Sequence, residues 1–244
     1  MTEQHAYMKS AVSSLGLTPD DDQIDLLLRY YEMILDQNQT MNLTRITGFE
    51  EAVWKHMVDS LSLIRAVDVR KNSKILDLGS GAGFPGIPIK IMFPETEVLM
   101  VDSVGKKVRF INRVIEELQL DRALGLHTRA EELARDKKYR EKYDICVSRA
   151  VANLTALSEY CLPFVKAGGM WIAYKGPDCD PELEDAAYAI KTLGGSEAEK
   201  VSFQINEMDR TLIKVKKIKK TPMQYPRKAG TAAKMPLRET PNHK

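Results

Sequence analysis

Residues 77–86 read Asp-Leu-Gly-Ser-Gly-Ala-Gly-Phe-Pro-Gly and follow an apolar run, Lys74–Leu78, with the length of a buried strand. Glycines at alternate positions after a strand commit the chain to a sharp turn into a helix. Only a residue without Cβ takes such a backbone freely and lets a ligand approach the main chain. The pattern then repeats. Strands are predicted over 97–101, ending at Asp102, and over 123–127, 143–147 and 169–174. Helices are predicted between them near 84–93, 105–120, 130–135, 153–164 and 181–193. Strands at 200–206 and 211–216 lie close enough to pair antiparallel. Alternation of this kind predicts an α/β fold, a mostly parallel seven-stranded sheet with helices on both faces.

Three helical segments precede the first strand, at 3–15, from Thr18 onward, and over 49–66. Thr18 is placed as an N-cap with Pro19 at the first helical position, followed by Ile24, Leu27, Leu28, Tyr31, Ile34 and Leu35 at helical spacing. The expected organisation is an N-terminal helical cap at 1–70, a Rossmann-like domain at 71–220 and a basic, Pro- and Gly-containing tail at 221–244.

Charge is distributed unevenly. From Arg210 to Lys244 there are eleven Lys and Arg and one acid, Glu239, leaving a net charge of −8 on residues 1–209. A basic tail on an acidic body suits a polyanion such as nucleic acid; a solvated tail is the plainer reading. The three cysteines, Cys146, Cys161 and Cys179, form no CxxC pair, and the four histidines are scattered, so neither a disulfide framework nor a metal site is expected. No leader and no transmembrane run is visible, which places the protein in the cytoplasm.

The loop admits two cofactor readings. Gly81, Gly83 and Gly86 make the dinucleotide pattern G-x-G-x-x-G, which would support an NAD-dependent oxidoreductase. Asp77 followed by Gly79, Gly81 and Gly83 makes the pattern of S-adenosylmethionine (SAM) sites. An acid beside the loop opposes a pyrophosphate and suits a sulfonium cation, which favours SAM. Asp102 can hold ribose hydroxyls in either cofactor. Ala130 and Glu131, after the third strand, stand where an adenine edge would meet the backbone; an acidic first helical turn is the alternative.

The reaction type follows from what is missing. Amino-group methylation calls for an Asn or Asp beside Pro-Pro-Tyr after the fourth strand, but that place holds Ser148-Arg149-Ala150. Pyrimidine C5 needs a cysteine nucleophile, and Cys146 reads as a core residue. Guanine N7 carries a free lone pair and needs no general base, so positioning and field can suffice. Arg149 and Lys175, at successive strand ends, are the candidates for that electrostatic role. Arg149 can grip the SAM carboxylate or guanine O6, and Lys175 an RNA phosphate or the base. Salt bridges or solvated strand ends are the alternatives. Arg227, Lys228 and Lys234 are candidate RNA contacts in the tail. His56, Asp59 and Ser60, at i, i+3 and i+4, would share one side of a helix facing the cleft.

These motifs resemble the bacterial small-subunit rRNA guanine-N7 methyltransferase family, the glucose-inhibited division protein B (RsmG) family. The matching runs are 41–44, 55–61, 76–88 with its extended Phe-Pro-Gly-Ile-Pro, 148–150, and Tyr225-Pro-Arg-Lys-Ala-Gly-Thr231. The resemblance implies a class I SAM-dependent methyltransferase fold and transfer to N7 of one guanine in 16S rRNA, position 527 in standard rRNA numbering, with S-adenosylhomocysteine as product. It implies SAM contacts at Gly79, Phe84, Asp102, Ala130, Glu131 and Arg149, and the small ribosomal subunit as partner; a monomer suits so large an RNA target. The tail departs from the family after Thr231, reading Ala232-Ala233-Lys234-Met235-Pro236-Leu237. A non-catalytic RNA-binding factor on the same fold is the competing reading.

Overall fold

The computed structural model describes residues 2–149 and 151–239; Met1, Ala150 and residues 240–244 lie outside the described residues, and with them the third residue of the Ser148-Arg149-Ala150 motif, His243 and the final cation Lys244. Helices α1 (Glu3–Ser13) and α2 (Asp21–Asn38) come first. The cap of α2 is Asp20, not Thr18. The Asp20 carboxylate accepts the Gln23 N–H at 2.8 Å, and Gln23 Oε1 accepts the Asp20 N–H at 3.2 Å. This reciprocal box satisfies two orphan amides, which the Thr18-Pro19 pair, left outside the helix, does not do. Gln23 also donates to the Ile91 carbonyl at 3.0 Å and so ties α2 to the sheet domain.

The segment expected as one helix over 49–66 changes winding along its length. It begins as α3 (Phe49–Ala52), widens into a π-turn (Val53–Val58), returns as α4 (Asp59–Leu61) and tightens to 3₁₀ over Ser62–Arg65. Val53, Met57 and Leu61 are fully buried, so the apolar face survives the change.

The sheet then forms from β1 (Lys74–Leu78), α5 (Gly86–Met92), β2 (Glu97–Asp102), α6 (Gly105–Glu117), β3 (Ala123–His127), α7 (Ala130–Leu133), β4 (Tyr143–Arg149), α8 (Leu154–Cys161), β5 (Val165–Lys175), α9 (Asp180–Thr192), β6 (Glu199–Ile205) and β7 (Met208–Lys216). A short α10 (Thr231–Lys234) lies in the tail. Strand order is β3-β2-β1-β4-β5-β7-β6, and only β7 runs against the rest. Central strands are buried on both faces and read as apolar runs for that reason. Ile75, Val98 and Met100 face a core shared with α1, α2, α5 and α6. Leu76, Leu99 and Val101 face a second core with α8 and α9.

The order reverses between β1 and β4, and at such a switch point the loops leaving the two strands diverge and open a crevice. Among the described residues no helix is long and apolar enough to cross a membrane, and no group of His, Cys, Asp and Glu could hold a metal ion.

Candidate functional site

The glycine loop is stitched to its surroundings through the main chain. The Gly79 amide donates to the Val101 carbonyl at 2.7 Å, and the Gly83 and Phe84 amides both donate to the Ser80 carbonyl at 2.8 Å. That turn delays the helix to Gly86, two residues later than the periodicity predicts. Gly79 and Gly83 require glycine. Their φ values are +75° and +107°. A Cβ on Gly83 would stand 2.6 Å from Ile87 and 2.9 Å from the Tyr30 hydroxyl, and one on Gly79 would collide with Val151.

Asp77 lies beneath the loop with no exposure. Its Oδ2 accepts the Ser80 hydroxyl and, at 2.9 Å, the Gly86 N–H. Burial pushes its carboxyl up to about 6. Its Oδ1 is buried without a hydrogen-bond partner. Asp77 is therefore a brace of the loop. The bond to Gly86 also removes the third amide of the dinucleotide pattern from any pyrophosphate.

A cavity of about 440 Å³ opens at the C-terminal ends of β1 and β2. Four of the expected cofactor residues line it: Gly79, Asp102, Ala130 and Glu131. Asp102 accepts the Gly81 N–H at 2.9 Å through Oδ2 and the Val104 N–H at 2.8 Å through Oδ1. An ionised carboxylate offers about four lone-pair sites, so acceptor capacity remains. Glu131 Oε1 accepts the Gly230 N–H at 2.9 Å. Ala130 and Glu131 stand in the first turn of α7, where helical amides lack intrahelical partners.

Gly81, Gly83, Phe84 and Arg149 do not line that cavity. Phe84 is buried against Tyr30 (ring centroids 5.2 Å) and stacked on His56 (4.5 Å), and the Arg149 guanidinium lies 5.0 Å from its ring. Arg149 takes the salt-bridge alternative. It donates to Asp59 Oδ2 at 2.8 Å, while Arg210, from the start of β7, donates to Asp59 Oδ1 at 2.8 Å. A single buried carboxylate thus links the N-terminal helices to β4 and β7, two strands on the same side of the switch point. Thr44 Oγ1 accepts the Ile46 N–H at 3.0 Å and shares a hydrogen bond with His56 Nε2 at 2.8 Å. Burial, reinforced by Arg149, lowers His56 to about 4, so the imidazole is neutral near pH 7. Ser60 does not join this group through its side chain; its carbonyl accepts the Tyr174 hydroxyl at 2.6 Å.

Two expected RNA contacts are engaged internally. Lys175 Nζ donates to Glu182 Oε1 at 2.8 Å and to the Ala152 carbonyl at 3.1 Å. Arg227 forks onto Glu159, a residue 1% exposed, with Nη2 to Oε2 at 2.7 Å and Nε to Oε1 at 3.0 Å. Its own amide donates to the same carboxylate at 2.7 Å. Arg140 adds bonds to the carbonyls of Thr221 (2.9 Å) and Tyr225 (2.8 Å), and Arg135 one to Pro226 (2.8 Å). The tail is therefore a strap laid over α7 and α8, and its Gly230 and Ala233 form part of the cavity wall. Lys228 and Lys234 remain exposed on its outside. Elsewhere in the basic stretch Lys217 is wholly buried, donating to the carbonyls of Leu162 and Val165, and burial lowers it to about 8.

Sequence reasoning missed Tyr30, whose hydroxyl donates to the Ala82 carbonyl at 2.8 Å and backs the glycine loop. It also missed Arg210 as a partner of Asp59 and Tyr160 as a cavity wall. Each is brought in by long-range packing, and only Tyr30 carried a local signal, on the apolar stripe of α2 one turn after Leu27.

The family described as rRNA small subunit methyltransferase G matches residues 23–213. The ribosomal RNA small subunit methyltransferase G of Lachnoclostridium phytofermentans is 48% identical over 226 residues, spanning 92% of this chain and 93% of the relative. Its counterpart in Alkaliphilus oremlandii is 45% identical over 233 residues, spanning 95% and 98%. A SAM-dependent O-methyltransferase from Thermotoga maritima shares the fold with a TM-score of 0.52 at 13% identity, over 78% of this chain and 72% of its own. The sheet order and helical layers are those of the class I SAM-dependent methyltransferases, and the chain belongs to the rRNA small subunit methyltransferase G (GidB) family.

Proposed function

We propose that this protein transfers the methyl group of SAM to N7 of a guanine in 16S rRNA, acting as a cytoplasmic monomer on the small ribosomal subunit. The observation that carries the reading is the cavity at the strand ends, with the Asp102 and Glu131 carboxylates on its wall beside Gly79. Its volume falls within the range of small-molecule sites, ~300–1,000 Å³. The residues present fit SAM. Asp102 retains acceptor sites for ribose hydroxyls. The first-turn amides of α7 would meet an adenine edge. The buried, unpartnered Oδ1 of Asp77 supplies negative charge under the end that would hold the ammonium and sulfonium groups.

When bound, SAM supplies an electrophilic methyl group on a cationic sulfur. The chain's own part is to orient the acceptor in line with it and to exclude water. Cys146 is fully buried in β4 and burial pushes its thiol well up, so it is no nucleophile for pyrimidine C5. Ser148 is held by the Trp171 indole N–H at 3.1 Å and offers no base. Guanine N7 asks for neither. Arg149, fixed over Phe84 by Asp59 at the C-terminal end of β4, supplies a positive charge that would suit guanine O6 or a carboxylate.

The test is transfer of labelled methyl from SAM to small subunits isolated from cells lacking the enzyme, followed by borohydride reduction and aniline cleavage of the RNA. A single enzyme-dependent cut is expected. Label without a cut would discard N7 and keep the methyltransferase. No label on subunits, precursor particles or free RNA would discard the catalytic reading.

A further inference from the structure

We propose that a second cleft, between α6 and the loop that follows α2, is a docking site for the phosphate backbone of the substrate RNA next to the target nucleotide. The proposal rests on small-subunit RNA being the substrate. The cleft has a volume of about 330 Å³ and is lined by Lys106, Arg109 and Arg113 on one side and by Gln37 and Thr40 on the other. Arg113 is held in place by Asp36 at 3.8 Å and Glu117 at 3.6 Å. Lys106 and Arg109 are exposed and make no ion pair among the described residues. Gln37 Nε2 donates to Thr40 Oγ1 at 2.8 Å and Thr40 Oγ1 to the Gln37 carbonyl at 3.1 Å, so that wall is internally satisfied and recognition falls to the two uncompensated cations, which match a phosphodiester that a guanidinium can hold through two parallel bonds.

Its position points to a polymer and not to a free anion. Lys107, the residue after Lys106, lines the cofactor cavity, so one helix walls both openings. The loop that supplies Thr40 continues to Thr44, which holds His56 against Phe84. A strand seated in the cleft therefore lies along the rim of the cavity. The strap cations Lys228 and Lys234 flank the other side of that cavity, since Gly230 and Ala233 form its wall. RNA held at both ends would present one nucleotide to the space between.

The experiment compares the wild type with Lys106→Glu/Arg109→Glu and with Lys191→Glu, an exposed change of the same sign on α9. KM for small subunits should rise by about tenfold or more in the double variant with kcat little changed, because phosphate contacts position the substrate and do not react. The slope of log affinity for protein-free 16S RNA against log salt should shrink by ~0.7 for each phosphate that the variant no longer neutralises. S-adenosylhomocysteine affinity should be unchanged, and Lys106→Arg/Arg109→Lys should restore KM. Wild-type KM in the double variant, or an equal rise in Lys191→Glu, overturns the cleft. So does an unchanged affinity for protein-free RNA with weakened subunit binding, which would make the partner a ribosomal protein. An inactive wild type would instead overturn the functional reading on which the proposal stands.

Discussion

Asp77 and His56 are driven in opposite directions by the same cause. Burial lifts the Asp77 carboxyl from 3.8 to about 6, and burial together with Arg149 lowers His56 from 6.5 to about 4. Between those values the folded protein holds a proton on Asp77 while the unfolded chain holds one on His56. The proton counts match, so the pair leaves stability nearly flat from about pH 4 to about pH 6. Each substitution unmasks the other group. In Asp77→Asn the depressed His56 acts alone, and its contribution is present above about pH 6.5 and lost as pH falls through about 4. In His56→Gln the raised Asp77 acts alone, and its contribution is present below about pH 4 and lost as pH rises through about 6. Urea midpoints for the two variants should therefore slope in opposite senses across this window; parallel slopes would refute the assignment. Asp77→Asn should also weaken S-adenosylhomocysteine binding several-fold, because it removes a negative charge beneath the end that would hold the ammonium group, without loss of stability at neutral pH. Asp77, Asp102 and Glu131 could be found in the sequence because each sits at a strand end or helix start fixed by local pattern. The duties of Arg149 and Arg227 could not. Their carboxylate partners lie 90 and 68 residues away, and a cation's residue type does not say which acid will hold it.

At the level of elements, most strands lie where the alternation of apolar runs puts them; β3 matches the expectation residue for residue, and β4 and β5 extend beyond it at their ends. Helix winding was less readable. The π-turn at Val53–Val58 leaves the apolar positions of the segment buried, so periodicity alone does not report it. The strap was readable only as a Pro- and Gly-rich basic tail, because its order comes from Glu159, Arg135 and Arg140 on distant elements. Arg227→Ala strips Glu159 of its partner, and an uncompensated buried carboxylate costs about 3–5 kcal/mol unless the strap lifts and lets water in. Lifting is the cheaper outcome. We expect faster amide exchange over residues 225–235 and weaker S-adenosylhomocysteine binding, whereas Lys228→Ala/Lys234→Ala should weaken RNA binding alone. Unchanged cofactor affinity in Arg227→Ala, measured calorimetrically, would show that the strap is not a wall of the cavity.

For the whole molecule, the basic stretch overstates the charge available to a partner. Arg210, Lys214, Lys217 and Arg227 are paired with Asp59, Glu199, Glu141 and Glu159. Lys216, Lys219 and Lys220 cluster where β7 ends, across the sheet from the cavity mouth. If ten of the eleven cations of the stretch each met a phosphate, the salt slope would be about −7. Strap and cleft together supply roughly half as many cations, so a slope of about −3 to −4 is expected for single-stranded RNA. A value near −7 would mean that RNA wraps the far end as well.

The strap has a last consequence, which concerns the order of synthesis. It follows every strand of the sheet in the chain, and yet Gly230 and Ala233 complete a cavity whose floor is laid down by residue 79. A nascent chain folds from its N-terminus as it emerges. While the strap is still inside the exit tunnel, such a chain can own a finished sheet and an open-sided cavity. The cavity is thus closed only once the strap has emerged, later than every strand on which it rests, so closure of this pocket is a separate and last event in the folding of the chain.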